Sequence, residues 1–279
     1  MLIAIGQGGF SQTKQLDVLQ DENAQGPDFW IYNNLDAEVA KNNHLIVSLA
    51  QEQFVAVRQV EMKWVDLSQF QFDYDLNWAA MFVNADDTVY ARYGTQSAAD
   101  ADAYNSIASV EKTMRRVLAL HEDYSNNKNR LAGKLGKPKP YKTALEMPGM
   151  KHRAKLSGST ARNNCVHCHN IHDAEHEQLY REQKFSHDTL WRYPLPENID
   201  LTIDPHDGLA IVGIKPGSTA AKSGLRAGDT LTRANGQLLT SITDLQWVLY
   251  NISNTDTDVT LQVKRGDQAL EKKIAINAE

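Results

Sequence analysis

The chain holds two cysteines in 279 residues, and both fall within Cys165-Val166-His167-Cys168-His169. A disulfide framework is thereby excluded, because two thiols three residues apart brace nothing across a fold. The chain must instead be held by hydrophobic cores or by a bound group. Its length suits two or three domains rather than one small one. Hydrophobic residues make up 42% of it, enough to build real cores.

The C-x-x-C-H pattern has a physical logic. Two thiols at that spacing reach the two vinyl groups of one porphyrin, and the adjacent imidazole meets the iron from the same side. Cys165 and Cys168 are therefore expected to hold one covalent haem c, with His169 as the proximal iron ligand. Two other readings stay open. Zinc could take Cys165, Cys168 and two of His169, His172 and His176. The cysteines could also form a reversible redox pair. For the iron face opposite His169 the candidate is Met150, with Met147, His152 and His187 as alternatives. Met147 and Met150 flank Pro148-Gly149, a loop suited to presenting a thioether. Met/His ligation suits electron transfer with a redox partner protein, whereas an open face suits gas sensing or a peroxidase-like enzyme. Haem contacts that bridge two chains would make an oligomer. A haem of this kind is expected in an exported, periplasmic protein whose export signal lies outside this sequence. Met1 to Ile5 lacks the basic and small-residue flanks of a signal peptide and reads as a buried strand. No apolar run reaches the length of a membrane span.

The net charge of -6 argues against nucleic-acid binding by the whole chain. Charge is uneven, however. From Asp123 to Asn164 there are ten Lys or Arg, opposed by Asp123 and Glu146 alone. That stretch suits haem propionates, an acidic partner or an anionic surface, or is a solvated face. No P-loop, G-x-S-x-G or H-E-x-x-H motif is present. Asp73 and Asp75 read as solvated carboxylates more readily than as a paired acid site.

Along the chain, Asp36 to Gln53 reads as helix and Phe54 to Val60 as strand. Trp78–Val83 and Thr88–Tyr93 read as a hairpin across Asn84–Asp87, and Ser106 to Asp123 as an amphipathic helix. The region from 125 to 196 is punctuated by Gly and Pro and has few apolar residues of its own. A haem would supply a body for it to pack around, with a helix expected from His169 to Lys184. The last region reads as short strands with helices over Gly217–Leu225 and Ser241–Tyr250, and a hairpin across Arg265-Gly266-Asp267.

Within that last region, Gly208-Leu209-Ala210-Ile211-Val212, the run from Pro216 to Asp229 and Asn235-Gly236 resemble the PDZ domains of bacterial HtrA-type proteases. The resemblance covers about 80 residues. It implies that a protein or peptide partner adds as a strand beside the helix Ser241–Tyr250, where Leu245 lies. Its carboxylate would dock near Ile199, Asp200 and Leu201. The family usually has a glycine-containing loop there, and this chain has an acid, Asp200. Asp36–Ala40, Phe54–Arg58 and Phe82–Tyr90 look like a thioredoxin fold of the Thioredoxin_7 type. The whole chain thus resembles the bacterial Trx7/PDZ (seleno)protein family. Where that fold carries its redox pair, this chain has Gly8 and Ser11, so no thiol oxidoreductase activity is expected from that domain. The expected fold class is α/β plus β-rich. A thioredoxin-like domain spans 1–124, a c-type haem-binding segment 125–196 and a PDZ-like domain 197–279.

Overall fold

A computed structural model describes residues 2–5, 44–57, 59, 61–76, 78–95, 103–157, 164–186, 189, 192–253 and 257–276. The loop from Gly8 to Ser11, the helix start at Asp36 and His187 lie outside the described residues.

The N-terminal half is built on a four-stranded sheet in the order β2-β1-β3-β4. β1 (Leu2–Ile5) pairs antiparallel with β2 (Val55–Val57) and parallel with β3 (Ala80–Asn84). Helix α1 (His44–Gln53) lies between β1 and β2 in sequence. Because those two strands run antiparallel, they do not form a β-α-β crossover unit. β3 turns into β4 (Val89–Tyr93) at the Asn84–Thr88 hairpin, where Asp87 adopts a φ of 68°. Asp tolerates that left-handed geometry because its short polar side chain bonds locally.

Successive β3 residues face opposite sides of the sheet, as strand geometry requires. Phe82 joins one core with Tyr90 and Ala91, covered by α2 (Ile107–Glu122) through Val110, Met114 and Val117. Ser106 caps that helix, its Oγ accepting from the Ser109 N–H. Met81 and Val83 face a second core. There Met62, Val65, Leu67, Phe70 and Tyr74 meet Met147, Met150, Val166, Ile171 and Ala174. The middle region, expected to lack partners of its own for a core, finds them in residues 62–74, a stretch with no regular hydrophobic period.

Only short helical turns precede α3 (Cys168–Arg181) in that middle region. The last region holds the antiparallel pair β5 (Leu201–Ile203) and β6 (Ile211–Ile214). Next to it is a sheet ordered β10-β9-β7-β8, made from β7 (Thr230–Ala234), β8 (Gln237–Leu238), β9 (Asp258–Arg265) and β10 (Gln268–Ala275). Helices α4 (Thr219–Lys222) and α5 (Ile242–Tyr250) complete it, each started by a serine whose hydroxyl accepts a backbone N–H.

Candidate functional site

The Cys-x-x-Cys-His segment is anchored before its helix begins. Met62 N–H donates to the Val166 carbonyl at 2.8 Å, and Val166 N–H donates to Glu61 Oε1 at 2.9 Å. The same Glu61 oxygen accepts from the Lys63 N–H at 2.9 Å, so one buried carboxylate ties two distant stretches together. Val166 is buried in the core, while Cys165 and Cys168 on either side are half-buried. Burial pushes both thiols up, and the Glu61 carboxylate adds to the rise at Cys165. Lys63 pulls the other way at Cys165, and a backbone hydrogen bond does so at Cys168, the first residue of α3.

His169 is exposed in the first turn of α3, with its ring stacked on that of His167 at 5.7 Å. His172 and His176 follow on the same helix, their ring centroids 4.0 Å apart, and His176 Nε2 lies 3.3 Å from the Thr189 carbonyl. Among the described residues no three His, Cys, Asp or Glu come close enough to hold a metal ion. The four-ligand zinc arrangement is thus not assembled by these side chains.

The methionines lie elsewhere. Met147 is 0% and Met150 7% exposed, both packed with Ile171 and Ala174 of α3. At 3.6 residues per turn, Ile171 and Ala174 sit about 200° and 140° round the helix from His169. Both thioethers therefore lie across α3 from that imidazole. The loop is seated tightly, because a Cβ on Gly149 would stand 1.8 Å from the Ala174 carbonyl oxygen. His152 is exposed at a φ of 56°. Asp73 and Asp75 share a turn, Asp75 N–H donating to Asp73 Oδ1 at 3.0 Å, and burial raises Asp73.

The loop expected to receive a peptide carboxylate is a 3-10 turn over Pro196–Ile199, followed by Asp200 at φ 60° and ψ 26°. That is the left-handed conformation glycine adopts most readily, so Asp200 keeps the backbone form of a glycine position. Lys215 pairs with it at 3.5 Å. Ile199, Leu201 and Leu245, the other residues assigned to peptide contact, are buried in the core of the region. Beside them, Thr202, Gly213 and Lys215 line an open depression of about 450 Å³.

Helix α5, expected beside a bound peptide, is buried from Ile242 to Leu249. Its apolar residues Ile242, Leu245, Val248 and Leu249 join the core of the last region, while its polar head is covered by β4, the edge strand of the N-terminal sheet. The Tyr90 carbonyl accepts from Thr240 Oγ1 at 3.2 Å and from Lys134 Nζ. Arg92 N–H donates to Asp244 Oδ1 at 3.3 Å, and the Arg92 carbonyl accepts from Ser241 Oγ. The Gly94 carbonyl accepts from Thr243 Oγ1 at 3.2 Å. Side chains at the head of one helix thus satisfy the unpaired edge of a strand some 150 residues earlier. Farther along α5, Gln246 Nε2 donates to the Tyr193 carbonyl at 3.0 Å.

At the centre of this contact, Lys134 and Asp244 form a fully buried ion pair at 2.6 Å. The buried Arg92 guanidinium lies 3.8 Å over the Trp247 ring and donates to the Gln71 and Lys134 carbonyls. Burial pushes both Lys134 and Arg92 down. The sequence carries little sign of this node. Lys134 sits in a run of exposed basic residues, and Asp244 looks like an ordinary acid in a first helical turn.

Residues 195–276 match the PDZ domain family, so the chain contains a PDZ domain. Among solved structures, the chain is similar to the HtrA3 PDZ domain bound to a phage-derived ligand (FGRWV). Identity is 28%, over 24% of this chain and 62% of that one, with a TM-score of 0.22. A second match is an aminopeptidase N family protein from Idiomarina loihiensis, at 12% identity, over 47% and 30% of the two chains, with a TM-score of 0.21. The chain spans less than two thirds of the length of either structure. No curated protein matches.

Proposed function

We propose that this chain is a PDZ-bearing adaptor that carries one c-type haem at the head of α3. The PDZ domain supports a protein or peptide partner. The observation that carries the haem is the placement of Cys165, Cys168 and an exposed His169 where a loop anchored by Glu61 enters a helix. The two cysteines would hold the porphyrin and His169 the iron. A bound haem supplies a redox-active iron that binds small ligands where a coordination position is open. Met147 and Met150 are packed in the core that Cys168 also borders, so either would have to leave that packing to reach an iron held by His169. An iron held by His169 without a methionine would suit a redox or gas sensor better than a Met/His electron carrier. A peroxidase-like enzyme would use the same open face. Export to the periplasm follows from covalent haem attachment, and the N-terminal sheet serves as the scaffold on which α5 docks.

The test is the visible spectrum of protein made with a c-type haem maturation system. The expected result is a Soret band that survives acid-acetone extraction, and loss of covalent attachment in the double variant Cys165→Ala/Cys168→Ala. Colourless protein containing stoichiometric zinc would refute the haem. Met150→Ala is expected to leave the haem spectrum unchanged while lowering unfolding stability by about 2–5 kcal/mol, the usual loss for a buried methionine. A changed spin state in that variant would instead make Met150 an iron ligand.

A further inference from the structure

A cleft of about 750 Å³ opens where residues 129–139 meet the β7–β8 turn and the end of α5. Arg130, Lys137 and Arg233 line it, and no Asp or Glu does. Arg130 donates to Asn127 Oδ1 at 2.6 Å and Arg233 to the Gly236 carbonyl at 2.6 Å. Among the described residues none of these three cations forms an ion pair. A fourth lining cation, Lys139, is engaged by Glu175 at 3.2 Å. In a chain of net charge -6, three basic groups from two regions thus converge on a concavity without a carboxylate. Low-dielectric walls concentrate the positive potential of such a cleft.

Two further features point to an occupant. Gln237 lines the cleft, and its Nε2, buried beneath the surface, has no hydrogen-bond partner. A buried donor left unpaired costs free energy, which a turn of this side chain toward a ligand acceptor in the cleft would recover. Leu135 and Tyr250, also lining the cleft, are 46% and 36% exposed, large apolar groups where solvent gains nothing from them.

We propose that this cleft binds an acidic peptide segment of a partner protein, its carboxylates meeting Arg130, Lys137 and Arg233 and an apolar residue lying on Leu135 and Tyr250. Paired apolar and cationic contacts suit a peptide better than a bare anion. The cleft shares no lining residue with the depression at Thr202, Gly213 and Lys215, beside the loop where a PDZ ligand's carboxylate would dock. The inference rests on the adaptor reading and names the chemistry of the adaptor's partner.

The experiment uses the full chain and a fluorescent, doubly capped pentapeptide of four glutamates around one leucine. A second probe, a free-carboxylate peptide ending in valine, reports the PDZ groove in parallel. A failure of the adaptor reading at that groove is thereby distinguished from a failure of the cleft. Saturable binding of the acidic peptide at low salt is expected, weakened at least tenfold in Arg130→Glu/Lys137→Glu/Arg233→Glu and unchanged in Lys264→Glu on β9. Should the triple variant fail to fold by circular dichroism, Lys137→Glu alone is expected to lose roughly threefold. Binding that survives charge reversal, equal binding of a four-lysine counterpart, or displacement by inorganic phosphate at equal concentration would each overturn the proposal.

Discussion

Replacing Asp244 by alanine is expected to lower the unfolding free energy of the full chain by about 3–5 kcal/mol, because it strands buried charge. Asp244 Oδ2 accepts from Lys134 Nζ at 2.6 Å and from the Thr240 N–H at 3.0 Å, and Oδ1 from the Arg92 N–H. Without the carboxylate, Lys134 keeps the Tyr90 carbonyl and Thr240 Oγ1 as neutral partners but has no counter-charge. The Arg92 guanidinium, also fully buried, stands near it. Two cations would then share a low-dielectric pocket with no anion, and the contact between β4 and α5 would loosen. The double variant Lys134→Met/Asp244→Leu is expected to recover most of the loss, since apolar groups of similar shape replace such a pair at small net cost. Denaturant unfolding followed by the fluorescence of Trp247, which the Arg92 guanidinium covers, checks both. A loss below 1 kcal/mol in Asp244→Ala would show that water reaches the site.

Gly149→Ala is expected to destabilise by roughly 3 kcal/mol or more, at the upper end of overpacking costs. The obstacle is not a movable side-chain end. The new methyl would stand 1.8 Å from the Ala174 carbonyl oxygen and 2.8 Å from its carbon, both backbone atoms of α3. The loop must lift away, uncovering Met147 and Met150 together. A fall in melting temperature of about 6–12 °C is expected for a chain of this size. Melting within 1 °C of the parent would mean that the loop does not rest on the helix. Gly136→Ala makes a useful contrast, because its methyl would meet side-chain atoms, Gln71 Oε1 at 2.3 Å and the Trp247 ring at 2.7 Å. Those atoms can yield in part, so a smaller loss is expected.

Features that depend on neighbours in sequence were legible in the chain. The Asn84–Asp87 turn, the amphipathic helix that follows Ser106, and the PDZ domain with its glycine-bounded turns all follow from local chemistry. The Cys-x-x-Cys-His spacing is local too. What holds it is not, since Glu61 lies 105 residues from Val166. The second core was hidden for a related reason. Met62, Val65, Leu67, Phe70 and Tyr74 are spaced neither as a helix nor as a strand, because they lie in turns that the sheet and α3 organise from outside. The buried positions of Lys134 and Arg92 ran against composition, for charged side chains are rarely buried unless paired, and the partner of Lys134 is 110 residues away. Asp200 could be seen as a departure from glycine, but only its backbone angles show that the loop kept its shape.

The sealing of β4 by α5 also sets a timetable. The strand is made about 150 residues before the helix that covers its edge. At typical synthesis rates that interval is about 8–30 s. Throughout it, the Tyr90 and Arg92 backbone groups offer an unfinished ladder to any passing strand. The first domain therefore reaches its protected form only when the last one arrives. A chain stopped before residue 240 would be expected to recruit copies of itself along β4, which makes the PDZ helix the closing act of folding as well as part of a binding module.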